Sequence, residues 1–390
     1  MKLDQLASEL TSMRVGGRLG PTFFVSSSNE LPDVLNRLPS LESSSLQILG
    51  SGSNIVFSDE GFPGYVVILQ GGKTFRDTRT IESASFIVDA GVLWDDFVTL
   101  AIREGCCGVE MMSGIPGTVG AAPIQNIAAY GQQVGDVIDW VEAIDRETNK
   151  VIRLTGTECE FAFRSSVFKE ALRDRLIVSR VRFVLPDATI APPKPSNYVD
   201  IERYFETGEK SSTDVIERRQ AVLIARARKS MLLNSVDPMS RSVGSFFINP
   251  CVRSGFSQEL ATTYGTTRLR VNYLEGPLGC PPDHSRTPAS HLLRYSGFNP
   301  GDKWGRVQLS DKHLLSVVAC EGSTASDIWL VGEHLRNTVY IRTGVLLNHE
   351  ASFVGNFPTY TIASFKSNFP FSRGKSPEPD WLLEYRSSER

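Results

Sequence analysis

The sequence predicts an α+β protein with more than one domain. Short apolar runs separated by glycine-rich turns are typical of strands, and they recur through the first half of the chain. Apolar residues at helical spacing follow at residues 94–104 and again after Thr324. The proline-rich stretch PDATIAPPKPS at residues 186–196 is typical of a linker. The 390 residues leave room for two or three domains and a sizeable core.

The composition excludes several classes of protein. The formal net charge is -3, so the chain lacks the general basic field of a nucleic-acid-binding protein. No apolar run approaches the ~20 residues that span a bilayer, and the opening MKLDQLASEL lacks the apolar core of a signal peptide. The six cysteines include no CxxC pair, so we expect free thiols in a reducing cytoplasm, without disulfides or a metal site.

The predicted strands fall mostly in the first half of the chain. Apolar runs place them, in order, at residues 23–26, 46–49, 55–57, 65–69, 84–90, 137–144, 151–154 and 176–185. The sequence DRETN separates the sixth run from the seventh, so we expect these two strands to form a β-hairpin.

The predicted helices lie at residues 29–38, 94–104 and 212–229 and after the TASD sequence that begins at Thr324. Ser28 or Asn29 suits the N-cap of the first helix, and Asp214 lies near the start of the third. The apolar face of the second helix favours a place in the core. TASD has the spacing of a capping box, with Asp in place of Glu. The helix that follows carries four apolar residues on one face, which are Ile328, Val331, Leu335 and Val339.

Two glycine-rich stretches point to a cofactor. The longer, SGIPGTVGAAPIQNIAAYG at residues 113–131, makes a poor helix and a poor strand, and its bare N–H groups suit a phosphate-bearing ligand. Gln125 and Asn126 add side-chain amides. The shorter, GSGSN at residues 50–54, follows a predicted strand and can aim N–H groups at a pyrophosphate. It is not the Rossmann fingerprint, because it leads into a β-like run. Taken separately, each stretch also fits an ordinary loop.

Together, in this order and at this spacing, the two stretches resemble the flavin-binding half of the UDP-N-acetylenolpyruvoylglucosamine reductase (MurB) family. FAFRSSVFK (161–169), GSFFINP (244–250) and LLNHEASFVG (346–355) are similar to further segments of that family, so the resemblance covers roughly residues 10–356. RARKSMLL at residues 226–233 resembles its actinobacterial branch, the type with a tyrosine loop. The resemblance implies a PCMH-type FAD-binding domain of two α/β subdomains plus a smaller α/β substrate-binding domain.

The resemblance also implies how the chain is divided. The implied parts are an FAD-binding domain at 1–190, a linker with the tyrosine loop at 191–201, a substrate-binding domain at 202–337, a return segment at 338–360 and a tail at 361–390. We expect residues 346–354 to be a strand that carries Glu350 back to the flavin domain. The polar, proline-containing end, from residue 362 on, is expected to be flexible or loosely docked.

The activity that the resemblance implies belongs to peptidoglycan precursor synthesis in the cytoplasm. NADPH would reduce FAD and leave, and UDP-N-acetylglucosamine enolpyruvate would then enter the same pocket and be reduced to UDP-N-acetylmuramate. No separate dinucleotide fingerprint is visible, in agreement with one shared site. The residues that match FAD-binding positions are Gly50, Ser51, Gly52, Ser53, Asn54, Ile55, Ser113, Gly114, Pro116, Gly117, Gly120, Gln125, Asn126, Tyr130 and Gly131.

Three residues match the family's catalytic positions. Reduction of an enolpyruvyl ether delivers hydride to the CH2 carbon, and the enolate-like charge that develops must be stabilised. Arg164 matches the arginine that faces this charge, although a simple ion pair is the alternative from the residues alone. Ser245 matches the proton donor, and Glu350 matches the glutamate that contacts the developing enol.

Five residues match substrate positions: Tyr198, Arg226, Lys229, Asn249 and Arg286. The tyrosine would close over the substrate diphosphate, Arg226 and Lys229 would bind the nucleotide and diphosphate, and Asn249 would contact the nucleotide part. From sequence alone, Tyr198 also fits a surface loop, and the two cations also fit a helix C-terminus.

Some positions depart from the family pattern. Ala128 replaces a glycine, Arg286 a lysine, and His291 and Arg294 an aromatic and an acidic residue.

Two alternative functions stay open, a related PCMH-type flavin oxidase and a non-catalytic flavin-binding homologue. The absence of histidine from the first glycine turn argues against the oxidase. The presence of all three catalytic residues argues against the non-catalytic homologue.

Overall fold

The computed structural model describes residues 1–39, 45–194, 196, 198–206, 210–234, 236–264 and 280–369. Its strands are β1 Thr22–Val25, β2 Leu46–Leu49, β3 Ile55–Phe57, β4 Tyr65–Leu69, β5 Thr74–Arg79, β6 Ser83–Asp89, β7 Ala128–Ala129, β8 Gln132–Gln133, β9 Ile138–Asp145, β10 Val151–Thr155, β11 Leu176–Pro186, β12 Cys251–Arg253, β13 His284–Arg286, β14 Lys303–Trp304, β15 Val307–Leu309, β16 Val317–Ala319 and β17 Ser352–Val354. Its helices are α1 Ala7–Leu10, α2 Leu31–Asn36, α3 Trp94–Arg103, α4 Val199–Phe205, α5 Val215–Arg228, α6 Ser254–Tyr264, α7 Ala289–Tyr295, α8 Ala325–Thr343 and α9 Ile362–Asn368. This mixture confirms the predicted α+β class.

The first half of the chain forms two sheets of three or more strands, in addition to the short β7–β8 pair. In the smaller one, β4 lies between β1 and β2, and the pairs are parallel. The larger sheet is antiparallel, in the order β10-β9-β11-β6-β5, and contains the predicted β9–β10 hairpin. Helix α3 buries its apolar face against this sheet, where the ring of Phe97 stacks on that of Phe183 with centroids 4.4 Å apart. The aromatic residues of α3 therefore belong to the core, as predicted.

A second core surrounds helix α8. The four apolar residues predicted to share one face are all fully buried there. They pack with α7 and the antiparallel sheet of β14, β15 and β16. The predicted capping box is present, because Thr324 Oγ1 accepts from the Asp327 amide and Asp327 Oδ2 accepts from the Thr324 amide, both at 3.0 Å. Met13 and Val56 of the first half contribute to the same core, so the two halves pack together.

Helix α5 packs on the first half of the chain. Asp214, predicted only to lie near its start, is its N-cap and accepts from the amides of Ile216 and Glu217. Arg218 forms a buried ion pair with Glu110 at 2.9 Å, and Arg219 binds both carboxylate oxygens of Asp95 at 2.7 Å. These charge-assisted bonds hold α5 beside the longer glycine-rich stretch.

The predicted strand at residues 346–354 is shorter than expected. Residues Ser352–Val354 form β17, which pairs in parallel with β3 and so makes the expected return to the first half. Glu350 lies just before the strand. The preceding residues follow another segment instead, because His349 forms an antiparallel bridge with Phe247.

The expectation that all six cysteines are free thiols is wrong. Cys251 and Cys280 form a disulfide with Cα atoms 5.5 Å apart, since Cys251 begins β12 and Cys280 lies shortly before β13, the strand that pairs with it. The expected tail begins with a docked helix, since α9 buries Phe365 and Phe369 against the core around α8. The rest of that tail, residues 370–390, lies outside the described residues.

Across the described part of the chain, no helix is both long and apolar enough to cross a bilayer.

Candidate active site

A cavity of about 430 Å³ lies between the two glycine-rich stretches, the end of α5 and residues 240–245. All three residues predicted to be catalytic line it: Arg164, Ser245 and Glu350. They come from three distant parts of the sequence, so their meeting is a property of the fold. In the described chain, no three histidine, cysteine or acidic side chains are grouped to hold a metal ion.

Arg164 lies between a backbone carbonyl and a carboxylate. Its Nε is 3.0 Å from Glu350 Oε1, and both terminal nitrogens donate to the Ala128 carbonyl at 3.3 Å. Its φ of +54° is in the left-handed region, which costs a non-glycine residue of order 1–3 kcal/mol. Lys169 Nζ donates to the Arg164 carbonyl at 2.9 Å and helps to hold this conformation. Lys169 belongs to the FRSSVFK motif, yet sequence reasoning assigned it no role.

Ser245 and Glu350 are held together by backbone pairing. The Glu350 amide donates to the Phe246 carbonyl at 2.9 Å, and the Ile248 amide donates to the Asn348 carbonyl at the same distance. Phe246 and Phe247, which directly follow Ser245, are almost fully buried and give it an apolar setting. The pairing brings the proposed proton donor beside the glutamate that binds Arg164.

The two glycine-rich stretches are joined by side-chain hydrogen bonds. Ser53 Oγ donates to the Pro116 carbonyl at 3.0 Å, and Asn54 Nδ2 donates to Gln125 Oε1 at 3.1 Å. Asn54 Nδ2 also donates to the Glu350 carbonyl at 3.1 Å. The first glycine turn is therefore tied both to the longer stretch and to the segment that carries Glu350.

A second cavity, of about 500 Å³, lies on the other side of the GSGSN turn, lined by Gly50, Ser51 and Thr118 together with apolar residues of β2, β4 and the loop before α3. Ser53 and Asn54 line the first cavity instead. An elongated ligand that crosses the turn would therefore meet backbone N–H groups between two partly apolar pockets. This arrangement fits a dinucleotide such as FAD.

Several predicted cofactor residues shape the loops and are not among the lining residues of either cavity. Gly52 has φ +65°, and a Cβ there would lie 2.1 Å from the Leu10 carbonyl oxygen. The Asn126 side chain is buried and donates to the Ala162 carbonyl at 3.0 Å. The others of this kind are Ile55, Ser113, Gly114, Gly117, Gly120 and Gly131.

Three of the predicted substrate residues line the first cavity. The ring of Tyr198 packs edge-on against that of Tyr130, with centroids 5.6 Å apart. Arg226 donates to the Gly114 carbonyl at 3.2 Å and to the Met231 carbonyl at 2.8 Å, and burial lowers the pKa of its guanidinium. Lys229 forms an ion pair with Asp200, a cavity residue that the sequence did not single out.

The other two substrate residues line a separate cavity of about 750 Å³. Arg286 donates to the Asn249 carbonyl at 2.9 Å, and its guanidinium lies 4.0 Å from the ring centroid of Phe163. Asn249 Oδ1 accepts from the Ala289 amide at the start of α7. The guanidinium of Arg164 lies 5.7 Å from the same ring centroid, so Arg286 and Arg164 are linked through one aromatic ring.

The departures from the family pattern have different consequences. Ala128 is outside the left-handed region and gives its carbonyl to Arg164, so the added methyl group is accommodated without backbone strain. His291 is buried in α7 and Arg294 is exposed at its end, and neither is among the residues that line these three cavities.

Comparison with known proteins gives consistent matches. A family model described as an FAD binding domain matches residues 22–155, and one described as the UDP-N-acetylenolpyruvoylglucosamine reductase C-terminal domain matches residues 237–354. The UDP-N-acetylenolpyruvoylglucosamine reductase of Thermobifida fusca (strain YX) is 33% identical over 352 residues, or 89% of this chain and 96% of that protein. The one of Mycobacterium marinum is 32% identical over 355 residues, or 89% and 93%. The crystal structure of UDP-N-acetylenolpyruvylglucosamine reductase (MurB) from Thermus caldophilus covers 90% of this chain and 98% of its own, with a TM-score of 0.59 and 22% identity, and shows a similar fold.

Proposed function

Because the chain belongs to the UDP-N-acetylenolpyruvoylglucosamine reductase family, we propose that it uses NADPH to reduce UDP-N-acetylglucosamine enolpyruvate to UDP-N-acetylmuramate. It is an FAD-dependent oxidoreductase of peptidoglycan synthesis. The observation that carries the proposal is that Arg164, Glu350 and Ser245 line one cavity beside the glycine turn.

FAD, when bound, supplies the hydride, which NADPH has delivered to it beforehand. We assign its binding to the two cavities on either side of the GSGSN turn, with Gly50 and Ser51 on one side and Ser53 and Asn54 on the other. NADPH and the enolpyruvyl substrate use the first cavity in turn, which gives a ping-pong order of binding.

Arg164 stabilises the charge that develops during reduction. When hydride reaches the CH2 carbon of the enolpyruvyl ether, negative charge moves into the carboxylate and gives an enolate-like intermediate. A guanidinium that is fixed in place and always charged binds that carboxylate more strongly as the charge grows. Removing one such donor from a preorganised site lowers the rate by roughly 100-fold or more.

Ser245 gives its hydroxyl proton to the carbon next to the carboxylate and so completes the reduction. A serine hydroxyl is a weak acid in water, and the buried Phe246 and Phe247 provide the apolar setting in which neighbouring groups act on it most strongly. Glu350, held beside Ser245 by backbone pairing, contacts the developing enol. The serine regains its proton from solvent after the product leaves.

Stopped-flow flavin absorbance tests this function. We expect anaerobic NADPH to bleach the bound flavin and the enolpyruvyl substrate to restore its absorbance. In Ser245→Ala, NADPH should reduce the flavin at nearly the wild-type rate. Reoxidation of the flavin by the enolpyruvyl substrate should slow by roughly 100- to 10,000-fold, because the proton donor is missing.

A matched control is Ser367→Ala, which removes an exposed hydroxyl from α9, outside the lining of the cavity. It should leave both half-reactions unchanged. Recovery of flavin absorbance only when oxygen is admitted would contradict the proposed function and favour an oxidase.

A further inference from the structure

One carboxylate lies among the cations of the first cavity. Asp200, in the first turn of α4, forms an ion pair with Lys229, the residue that follows α5. Both line the cavity together with Arg226 and Tyr198. The ammonium group that we assign to the substrate diphosphate is therefore already bound to an anion of the protein itself.

Asp200 is the carboxylate of the cavity lining that pairs with Lys229. Of the described residues that line the cavity, the carboxylates are Asp200 and Glu350, and Glu350 is paired with Arg164. His313 adds no positive charge near neutral pH, because burial and the cations of Lys229 and Arg226 lower its pKa to about 4. An anion that enters this end of the cavity therefore has to compete with the Asp200 carboxylate for the Lys229 ammonium group.

The pair is open enough to exchange partners. The Lys229 side chain is 31% exposed and that of Asp200 is 41% exposed, so the ion pair is screened and weak compared with a buried one. Asp200 lies on a seven-residue helix at the cavity wall, two positions after Tyr198. A diphosphate carries more charge than a carboxylate and offers more acceptor oxygens, so it competes well for the same Nζ.

We propose that Asp200 is an internal competitor, whose carboxylate occupies Lys229 where a phosphate oxygen of a diphosphate ligand binds. This inference rests on the proposed function, which supplies the ligand class. It makes Asp200 an affinity-determining residue: the carboxylate lowers the affinity for every diphosphate that uses Lys229. A ping-pong enzyme gains from this because the first ligand must leave before the second can enter.

Calorimetric titration with UDP tests the proposal on the FAD-loaded protein at low salt, without any turnover. We expect Asp200→Asn to lower the Kd for UDP by roughly 2- to 5-fold, because the amide keeps the shape but no longer competes for Lys229. Asp200→Glu keeps the charge and should stay close to the wild-type Kd. Unchanged flavin absorbance in each variant will show that the fold is intact.

The Lys229→Met background separates competition from other effects. There, Asp200→Asn should change the Kd for UDP by less than about 2-fold, because the contested cation is gone. If the Asp200–Lys229 ion pair served only to hold α4 against α5, Asp200→Asn would bind UDP more weakly than the wild type. That outcome, an unchanged Kd, or a gain that persists without Lys229 would overturn the proposal.

The test also separates failure of this inference from failure of the proposed function. If UDP binds the wild type and Asp200→Asn equally, the competitor role is overturned and the reductase function stands. If UDP binds none of the variants and the enolpyruvyl substrate does not reoxidise the flavin, both are overturned.

Discussion

Arg164 depends on a backbone conformation that arginine seldom adopts. Its left-handed φ is stabilised by Lys169 at its own carbonyl and by the guanidinium contacts with Ala128 and Glu350. The motif FRSSVFK identified Arg164 as a candidate, but no feature of the motif gives the φ angle or its partners. Sequence therefore predicted the chemistry of this residue, and the fold supplies its geometry.

Gly52 makes the first glycine turn possible, and its replacement tests this directly. Gly52→Ala would place a methyl group 2.1 Å from the Leu10 carbonyl oxygen, so the turn must shift. We expect at least a 10-fold weaker Kd for FAD, measured by flavin fluorescence on the reconstituted apoprotein.

Gly105→Ala is the matched control. Gly105 also has a positive φ, of +73°, but a Cβ there would meet nothing within 4 Å. The Gly105→Ala variant should lose roughly 1 kcal/mol of its free energy of unfolding through backbone strain and keep its affinity for FAD. Equal FAD affinities in the two variants would show that the close contact at Gly52 does not matter.

Sequence patterns located most elements, and the exceptions have physical reasons. Strand β5 (TFRDTR) is polar and largely exposed at the sheet edge, so it has no apolar pattern to detect. The apolar residues before Glu350 suggested a long strand, yet residues 348–350 pair with residues 246–248 and form only a bridge there. The disulfide depends on β12 meeting β13, and the ion pair of Asp200 depends on α4 meeting α5. Long-range contacts of this kind are not encoded in local spacing.

Helix α8 is fixed to the first half of the molecule by a carboxylate. Asp59 accepts hydrogen bonds from the amides of Ala325 and Ser326, at 2.7 and 2.9 Å, in addition to the capping box of the helix. We expect Asp59→Ala to lower the free energy of unfolding by about 1–2 kcal/mol, because it exposes helix-terminal amides and removes a link between the halves.

Urea unfolding followed by circular dichroism measures this change. Glu60→Ala, which removes an exposed neighbouring carboxylate, provides the comparison and should change stability by less than about 0.5 kcal/mol. Equal effects of the two substitutions would mean that Asp59 contributes only as a surface charge.

The stability of the whole molecule should depend on three histidines. Burial lowers the pKa values of His313, His334 and His349 from 6.5 to about 4. The unfolded chain takes up protons on these imidazoles below about pH 6.5, whereas the folded protein does so only near pH 4. Stability should therefore fall as the pH drops through this window, by about 1–2 kcal/mol for each histidine at pH 5.

Calorimetric melting at pH 7 and pH 5, in the same salt, tests this dependence. His334 stacks on Phe365 with ring centroids 4.1 Å apart, so His334→Phe preserves the shape of the contact and removes the titrating group. It should abolish about one third of the decrease. A variant with the same decrease as the wild type would contradict the assignment to buried histidines.

The pairing of β17 with β3 has a consequence for biosynthesis. Asn54 and Glu350 are bonded although they lie 296 residues apart, so a ribosome must make nearly the whole chain before this contact can form. Contacts between residues so far apart in sequence form slowly, because the loop-closure entropy is lost before the contact forms. Until β17 arrives, a nascent chain exposes one edge of the apolar strand Ile55–Phe57, which is buried in the finished protein. A prematurely terminated chain is therefore an aggregation-prone substrate for chaperones and proteases, and does not act as a partly working flavoenzyme.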